Sequence, residues 1–464
     1  MRPLLLLFSV ALAACTTAPN ATPSAFPPSE DILAMLKARV DDGRATGLVL
    51  GLMEADGSTR VISYGDAGPG AKPLSADSVF EIGSISKVFT ATILADMAAR
   101  GEVKLDVPAE TYAPAGMVLP KRGEKEITLL NLSGQNSGLP RLPSNFKPAD
   151  MNNPYADYTT DQLNAFLAGY QLPRDIGAEF EYSNLGVGLL GALLANRADK
   201  SYEALAQERV LKPLGMTMSG ITLTPAMQAA LAKGHGTDGA VVANWDLPTL
   251  AGAGALRSSM NDMLKFLDAN LGPPKNDLER AMRDAQTPRF TAGANMQIGL
   301  NWLTLTTKTG GSFVWHDGGT GGYGSFIGFD PKRNVGVVLL GNHFAAPEDI
   351  AMHLLEPSIP LTPKPAPPAE RVAIDVPAAT LARYVGVYAL EVLPDFKLTV
   401  TQENGALFVQ ATGQPNVPVF PESETRMFYK VVDAQITFHA AADGKPAYLI
   451  LHQGGADQKA TKAE

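Results

Sequence analysis

The chain has 464 residues, long enough for two or three folded units. Apolar residues make up 45% and charged residues 18%, which excludes a wholly disordered chain and a polytopic membrane protein. A net charge of −9 argues against nucleic acid as a partner, and a single cysteine excludes an intrachain disulfide, a multi-cysteine zinc site and an iron–sulfur cluster.

Met1-Arg2 precede an apolar run, Leu4 to Ala14, broken only by Ser9. It is too short to cross a bilayer, which takes about 20 residues, but it fits the apolar region of a secretory signal. The run ends Leu12-Ala13-Ala14-Cys15, which resembles the lipobox of bacterial lipoproteins. That resemblance implies a signal peptide over 1–14, lipidation of Cys15, a membrane anchor and a periplasmic location, with Thr16 matching outer-membrane sorting. An ordinary signal cleaved after Ala11, Ala13 or Ala14 is the other reading. Residues 15–28 carry Pro19, Pro23, Pro27 and Pro28 and read as an extended tether.

The first folded unit, 29–356, opens with a helix. Ser29 is a candidate N-cap, and Ile32, Met35, Leu36 and Val40 share one face. A hairpin is predicted over Gly47–Met53 and Thr59–Tyr64, turning at Asp56-Gly57. From Gly83 to about Leu271 the pattern is helical with loops. Strands return at Gln297–Leu305, Ser312–His316, Ser325–Phe329 and Val335–Leu340. One mixed sheet drawn from both chain ends and flanked by helices accounts for this order. Pro357, Pro360, Pro363, Pro365, Pro367 and Pro368 mark a linker over 357–371. Beyond it, 372–453 reads as a small β-rich unit with strands at Tyr384–Leu390, Phe396–Thr401, Ala406–Ala411, Arg426–Val432, Gln435–His439 and Ala447–Leu451. The charged remainder, 454–464, is expected to be a disordered tail.

Chemistry enters at Phe80-Glu81-Ile82-Gly83-Ser84-Ile85-Ser86-Lys87. A helical periodicity begins here, so Ser84 falls at a helix N-terminus with Lys87 one turn later on the same face. A serine hydroxyl needs a neighbouring base. An amine of pKa about 10.4 serves only if burial and positive potential lower it. Ser-x-x-Lys alone is weak, and Ser144-Asn145-Phe146-Lys147 is a second copy, set between prolines in a loop. Further along come Ser137-Gly138-Leu139-Pro140, Tyr182-Ser183-Asn184 and Trp315-His316-Asp317-Gly318-Gly319-Thr320-Gly321-Gly322-Tyr323.

In this order, the motifs resemble the serine β-lactamase and penicillin-binding-protein family, nearest to class C β-lactamases and class-C-like DD-peptidases and esterases. The resemblance implies an α/β (α+β) fold with a mainly antiparallel sheet flanked by helices. It assigns Ser84 as nucleophile, with Lys87 and Tyr182 sharing proton transfers. Asn184, His316, Gly318 and Gly319 would bind substrate, the backbone N–H groups of Ser84 and Gly319 forming an oxyanion hole. It implies no cofactor or metal, and a β-lactam or D-Ala peptide as substrate. Lys308-Thr309-Gly310 copies the family's usual third motif, but its place between two strands reads as a turn, which leaves His316-Asp317-Gly318 as the functional triplet. Three departures weaken the antibiotic-hydrolase reading: His316 in place of a lysine, Gln135 where many relatives have histidine, and Asn342-His343-Phe344 without the usual Asn/Arg pair. Tyr384-Val385-Gly386-Val387-Tyr388 resembles the opening of lipocalin-like barrels appended to some members.

The expected activity is therefore β-lactam hydrolysis through an acyl-serine, with a D-alanyl-D-alanine carboxypeptidase/endopeptidase or an esterase as alternatives. A non-catalytic penicillin sensor would keep the same fold. An α/β-hydrolase is disfavoured because no G-x-S-x-G elbow occurs. Oligomeric state is not encoded in these patterns.

Overall fold

The computed structural model describes residues 24–344, 347–364, 371–391, 393–412, 416–430, 432–440, 446–453 and 456–463. The signal peptide expected over 1–14 and Cys15 lie outside them. The chain divides into two units, Met1–Thr362 and Pro363–Glu464.

In the first unit, helix α1 (Ser29–Asp41) is followed by strands β1 (Gly47–Met53), β2 (Thr59–Gly65) and β3 (Val79–Glu81). Helix α2 (Ser86–Ala99), the small hairpin β4 (Lys121–Arg122) and β5 (Lys125–Glu126), and helices α3 (Leu129–Ser133), α4 (Thr160–Gly169), α5 (Asn184–Arg197), α6 (Tyr202–Ala206) and α7 (Pro225–Ala230) come next. After β6 (Arg257–Ser259), α8 (Met260–Ala269) and α9 (Asp277–Gln286), the chain runs through β7 (Phe290–Gly293), β8 (Met296–Ile298), β9 (Leu303–Thr306), β10 (Ser312–Gly319), β11 (Gly324–Asp330) and β12 (Val335–Gly341) to α10 (Glu348–Leu355). Eight strands form one sheet in the order β2-β1-β12-β11-β10-β9-β8-β7, with antiparallel neighbours throughout. The sheet is thus assembled from both ends of the unit, as its hydrophobic patterning predicts.

Period-two alternation decides which helices cover which face. Leu48, Leu50 and Leu52 of β1 join Ile32 and Leu36 of α1 and Ile350 and Leu354 of α10 in one apolar cluster. The intervening Val49, with Val338 and Leu340 of β12, packs into a second cluster with Phe89, Leu264 and Leu267. Helix α2 is apolar nearly all round, as a helix enclosed on every side must be. Its polar residues Ser86, Lys87, Thr90, Thr92 and Asp96 are buried with it.

Two local expectations change. Helix α1 begins at Ser29 itself behind Pro28, and no side-chain cap forms, because Pro28 supplies a restricted N-cap residue in its place. The single strand predicted over Gln297–Leu305 is two strands, β8 and β9. Asn301 adopts φ 57°, and the Gly299 N–H donates to the Trp302 carbonyl at 2.9 Å, closing a turn inside the apolar run.

The second unit carries a short helix α11 (Ala378–Leu381) and a closed eight-stranded antiparallel barrel: β13 (Gly386–Leu390), β14 (Leu393–Glu403), β15 (Ala406–Ala411), β16 (Asn416–Pro421), β17 (Arg426–Tyr429), β18 (Ala434–Ala440), β19 (Pro446–Gln453) and β20 (Ala456–Lys462). Its core includes Tyr388, Val400, Val409, Ile436 and Leu449. The expected disordered tail is instead β20. Strand β20 pairs with β19 and β13 and closes the barrel, burying Ala460 while its lysines stay outside. Strand β16 also escapes the sequence pattern, since Pro418 and Pro421 argue against a strand there.

Candidate active site

The serine lies in the tight turn Gly83–Ile85, which leads directly into α2. Gly83 has φ 48°, in the left-handed region. A Cβ on Gly83 would sit 2.7 Å from the Gly319 backbone nitrogen, and one on Gly318 would collide with the Ile82 carbonyl. The glycines therefore let the end of β10 lie against the serine turn. That close approach brings the backbone N–H groups of Ser84 and Gly319 into the same region of the cleft.

Lys87, one turn into the helix, is fully buried. Its Nζ donates to Ser84 Oγ at 2.9 Å, Asn184 Oδ1 at 2.9 Å and the Ala253 carbonyl at 2.7 Å. Burial holds its pKa well below the ordinary lysine value, and the Arg141 charge adds to this while Asp317 opposes it. Protonated, the amine donates to all three; neutral, it keeps two donors for Asn184 Oδ1 and the Ala253 carbonyl, and its lone pair accepts the Ser84 hydroxyl.

Tyr182 and Asn184 arrive from a stretch distant in sequence. Ser183 caps α5, its Oγ accepting from the Gly186 N–H at 2.8 Å and donating to the Pro140 carbonyl at 2.6 Å. Asn184 then projects from the first turn to Lys87. The Tyr182 ring centroid lies 4.8 Å from Lys87 Nζ and 6.3 Å from the His316 ring. Burial raises the phenol's pKa, with a hydrogen bond to Ser84 acting the other way. The structure thus groups Ser84, Lys87, Tyr182 and Asn184 from the N-terminal ends of two helices that the sequence separates.

His316 is 1% exposed on β10, and its Nδ1 is 2.6 Å from the Asp317 carbonyl. Burial lowers its pKa, against the pull of Asp317, so the imidazole is neutral at pH 7 with the Nδ1 proton on that carbonyl. Gly318 faces inward, and Gly319 is exposed at the strand's end. Lys308 lies in the β9–β10 turn and Ser144 in a loop, and neither is a hydrogen-bond partner of Lys87.

Several contributors have no signature in the sequence. Gln135 is buried with φ 58°. Its Oε1 accepts from the Ser183 N–H at 2.7 Å, its Nε2 donates to Asn301 Oδ1 at 3.1 Å, and its carbonyl accepts from the Glu181 N–H at 2.7 Å. The departure from histidine is therefore a latch on the Tyr182-Ser183-Asn184 segment. Tyr155 receives a hydrogen bond from Asn184 Nδ2 at 3.1 Å and packs against Trp245. Glu81 fixes that tryptophan's backbone by accepting the Trp245 N–H at 2.9 Å, and Arg257 pairs with Glu81 at 3.1 Å. Burial raises the Glu81 pKa, while Arg257 opposes the shift. A cleft of about 490 Å³ opens onto Ser84 between these parts, with Arg141, Tyr182, Asp317 and Gly319 among its walls.

Comparison with known proteins agrees with this geometry. Residues 32–356 match the β-lactamase family model, and 370–463 match a domain of unknown function, DUF3471. The D-alanyl-D-alanine-carboxypeptidase/endopeptidase AmpH of Escherichia coli K12 is 30% identical over 312 residues, 64% of this chain and 79% of that protein. A β-lactamase of Pseudomonas fluorescens is 28% identical over 321 residues, 62% of this chain and 86% of that one. Among solved structures, a β-lactamase/D-alanine carboxypeptidase from Yersinia pestis superposes with a TM-score of 0.60 at 26% identity, covering 68% of this chain and 92% of that chain. A class C β-lactamase from Rhodobacter sphaeroides shares the fold with a TM-score of 0.61 at 24% identity, covering 71% and 99%. With its family match spanning most of its length and its serine–lysine–tyrosine cluster assembled at the head of α2, this chain belongs to the β-lactamase family of serine hydrolases.

Proposed function

We propose that the protein hydrolyses β-lactam amides through an acyl-Ser84 intermediate. One observation carries the reading: a fully buried Lys87 amine 2.9 Å from Ser84 Oγ, with the Tyr182 ring centroid 4.8 Å from that amine. The two pKa shifts divide the roles. Burial lowers the lysine pKa and raises that of the tyrosine, which favours Lys87 as the acceptor of the Ser84 proton and Tyr182 as the donor to the leaving nitrogen. As Ser84 Oγ bonds to the carbonyl carbon, the oxygen's new charge falls to the N–H groups of Ser84 and Gly319. The C–N bond breaks as its nitrogen takes the Tyr182 proton, and Lys87 passes its proton to Tyr182; water then adds to the acyl carbon, breaks the ester bond and leaves a proton on Ser84 Oγ, releasing the product acid.

The second reading is a DD-carboxypeptidase/endopeptidase. The similarity to a D-alanyl-D-alanine-carboxypeptidase/endopeptidase favours it. Both share acylation and differ in deacylation. A fluorescent penicillin should label the wild type, and Ser84→Ala should not be labelled. Nitrocefin turnover with rapid recovery of free enzyme supports the lactamase, and a persistent adduct with D-Ala release supports the peptidase. Neither labelling nor ester turnover would overturn both.

The same proposal places the enzyme in the periplasm on a lipid anchor at Cys15, supported by the sequence pattern Leu12-Ala13-Ala14-Cys15. Incorporation of labelled palmitate by the wild type and its loss in Cys15→Ala test this.

A further inference from the structure

We propose that Arg141 and Asp317 make this cleft selective for dipolar substrates, the carboxylate of an amino-acid or peptide derivative meeting Arg141 and a free ammonium meeting Asp317. The inference rests on the acyl-transfer reading of Ser84 given above and names the substrate class of that site.

Both residues line the cleft that opens onto Ser84. Arg141 follows Pro140 in the loop whose backbone carbonyl accepts the Leu185 N–H at 3.2 Å, which ties it to the start of α5. Its guanidinium carbon lies 5.1 Å from the Tyr182 ring centroid, and among the described residues it has neither an ion pair nor a side-chain hydrogen bond. Asp317 stands two residues before Gly319 on β10, and both line the cleft beside Ser84. Its side chain is 47% exposed, and the nearest cation-forming group is His316 Nδ1 at 3.9 Å. That nitrogen already serves the Asp317 carbonyl, and burial keeps the ring neutral.

The cleft therefore presents one cation and one anion, neither with a counterion among the described residues, on two different elements beside Tyr182. Both charges reach the tyrosine, Arg141 lowering and Asp317 raising its pKa. A neutral ligand filling the cleft would strip water from both charges and return nothing to either. A ligand with one charge of each sign pairs both, and the planar guanidinium suits a carboxylate. A purely internal role, tuning Lys87 and Tyr182, would act alike on every substrate. Selectivity separates the two explanations.

The test uses D-Ala-D-Ala in four forms, its amine free or acetylated and its carboxyl free or amidated, with kcat/KM measured for wild type, Asp317→Asn, Asp317→Glu and Arg141→Gln. Each ratio is taken within one protein, so changes in Lys87 basicity cancel. We expect the wild type to favour each free charge by about fivefold. Asp317→Asn should lose the preference for the free amine and keep that for the carboxylate. Arg141→Gln should do the reverse, and Asp317→Glu should retain both. In the wild type, added salt should erode these preferences without changing the doubly blocked form, a readout that needs no variant to fold. A wild type indifferent to charge, or variants that leave both ratios unchanged, would overturn the proposal. Failure to cleave any of the four while penicillin still labels Ser84 would also overturn it and leave the acyl-serine reading standing. Absence of labelling as well would sink that reading first.

Discussion

Gly83 and Gly319 approach so closely that a single methyl group on Gly83 would lie 2.7 Å from the Gly319 nitrogen. The contact is backbone against backbone, so no side chain can turn aside to accommodate it. Gly83→Ala must therefore push β10 away from the serine turn and force a non-glycine residue into φ 48°. Acylation by penicillin should fall about 10²- to 10³-fold, the loss expected when one oxyanion donor moves out of place. Stopped-flow acylation rates, with circular dichroism to confirm the fold, would check this.

Lys87→Met should reduce acylation by about 10²-fold or more by removing the base, and should raise the melting temperature. The sign follows from the lowered pKa. The unfolded chain holds a proton on this amine up to pH about 10.4, whereas the buried amine releases it lower, so folding at neutral pH costs about 1.4 kcal/mol for each unit of depression. Methionine removes that cost. Differential scanning calorimetry at pH 7 should show the gain, and a decrease would contradict a buried neutral amine.

The pH profile of acylation follows from the same group. Its ascending limb should lie well below the ordinary lysine pKa and move upward in Arg141→Gln, because the guanidinium charge contributes to the depression. His316 acts on stability in acid. Its folded pKa lies below the unfolded value of about 6.5, so stability should fall as pH drops through about 6.5. His316→Gln should flatten that part of the curve in urea titrations at pH 5 and pH 7.

How much of this was legible in the sequence depends on whether the information is local. Ser84 and Lys87 are three residues apart across the turn that opens α2, so their proximity is local, and the turn residues around Lys308 marked the β9–β10 connection. The β1–β2 hairpin was legible from its apolar β1 and the Asp56-Gly57 turn, and strands β10 to β12 from short apolar runs bounded by turn residues. The latch at Gln135 was not, because its partners Ser183 and Asn301 lie far along the chain and its value comes from a left-handed backbone that no side-chain pattern reports. Arg141 had no reading either, since a charged residue in a loop is most often solvated, and Asp317 was read only as the middle of the His316-Asp317-Gly318 triplet, with no role of its own. Strand β20 was lost because Asp457, Lys459 and Lys462 look like tail composition, while the strand needs only backbone pairing and one buried Ala460.

Gln135→Ala should therefore cost more than its surroundings imply. It leaves the Ser183 N–H and Asn301 Oδ1 unpaired in the interior, a loss of about 1–3 kcal/mol. Tyr182 should lose its fixed position, so kcat should fall more than KM rises. Steady-state kinetics with nitrocefin and a thermal melt would separate this from simple unfolding.

Removal of residues 456–464 should open the barrel along β13 and β19 and expose two unpaired edges. We expect loss of the second unit's cooperative melting and concentration-dependent aggregation, measured by light scattering, with Ser84 labelling retained.

Strand β1 has its register partner very late in the chain: Leu48 faces Gly341, 341 − 48 = 293 positions on. During synthesis, the seven enclosed residues of β1 must wait on one side without the strand that will cover them. The sheet can close only after nearly the whole first unit has left the ribosome, so folding here is a late event in the life of the nascent polypeptide. A cell making or exporting this protein must keep that early segment from sticking to its neighbours in the meantime.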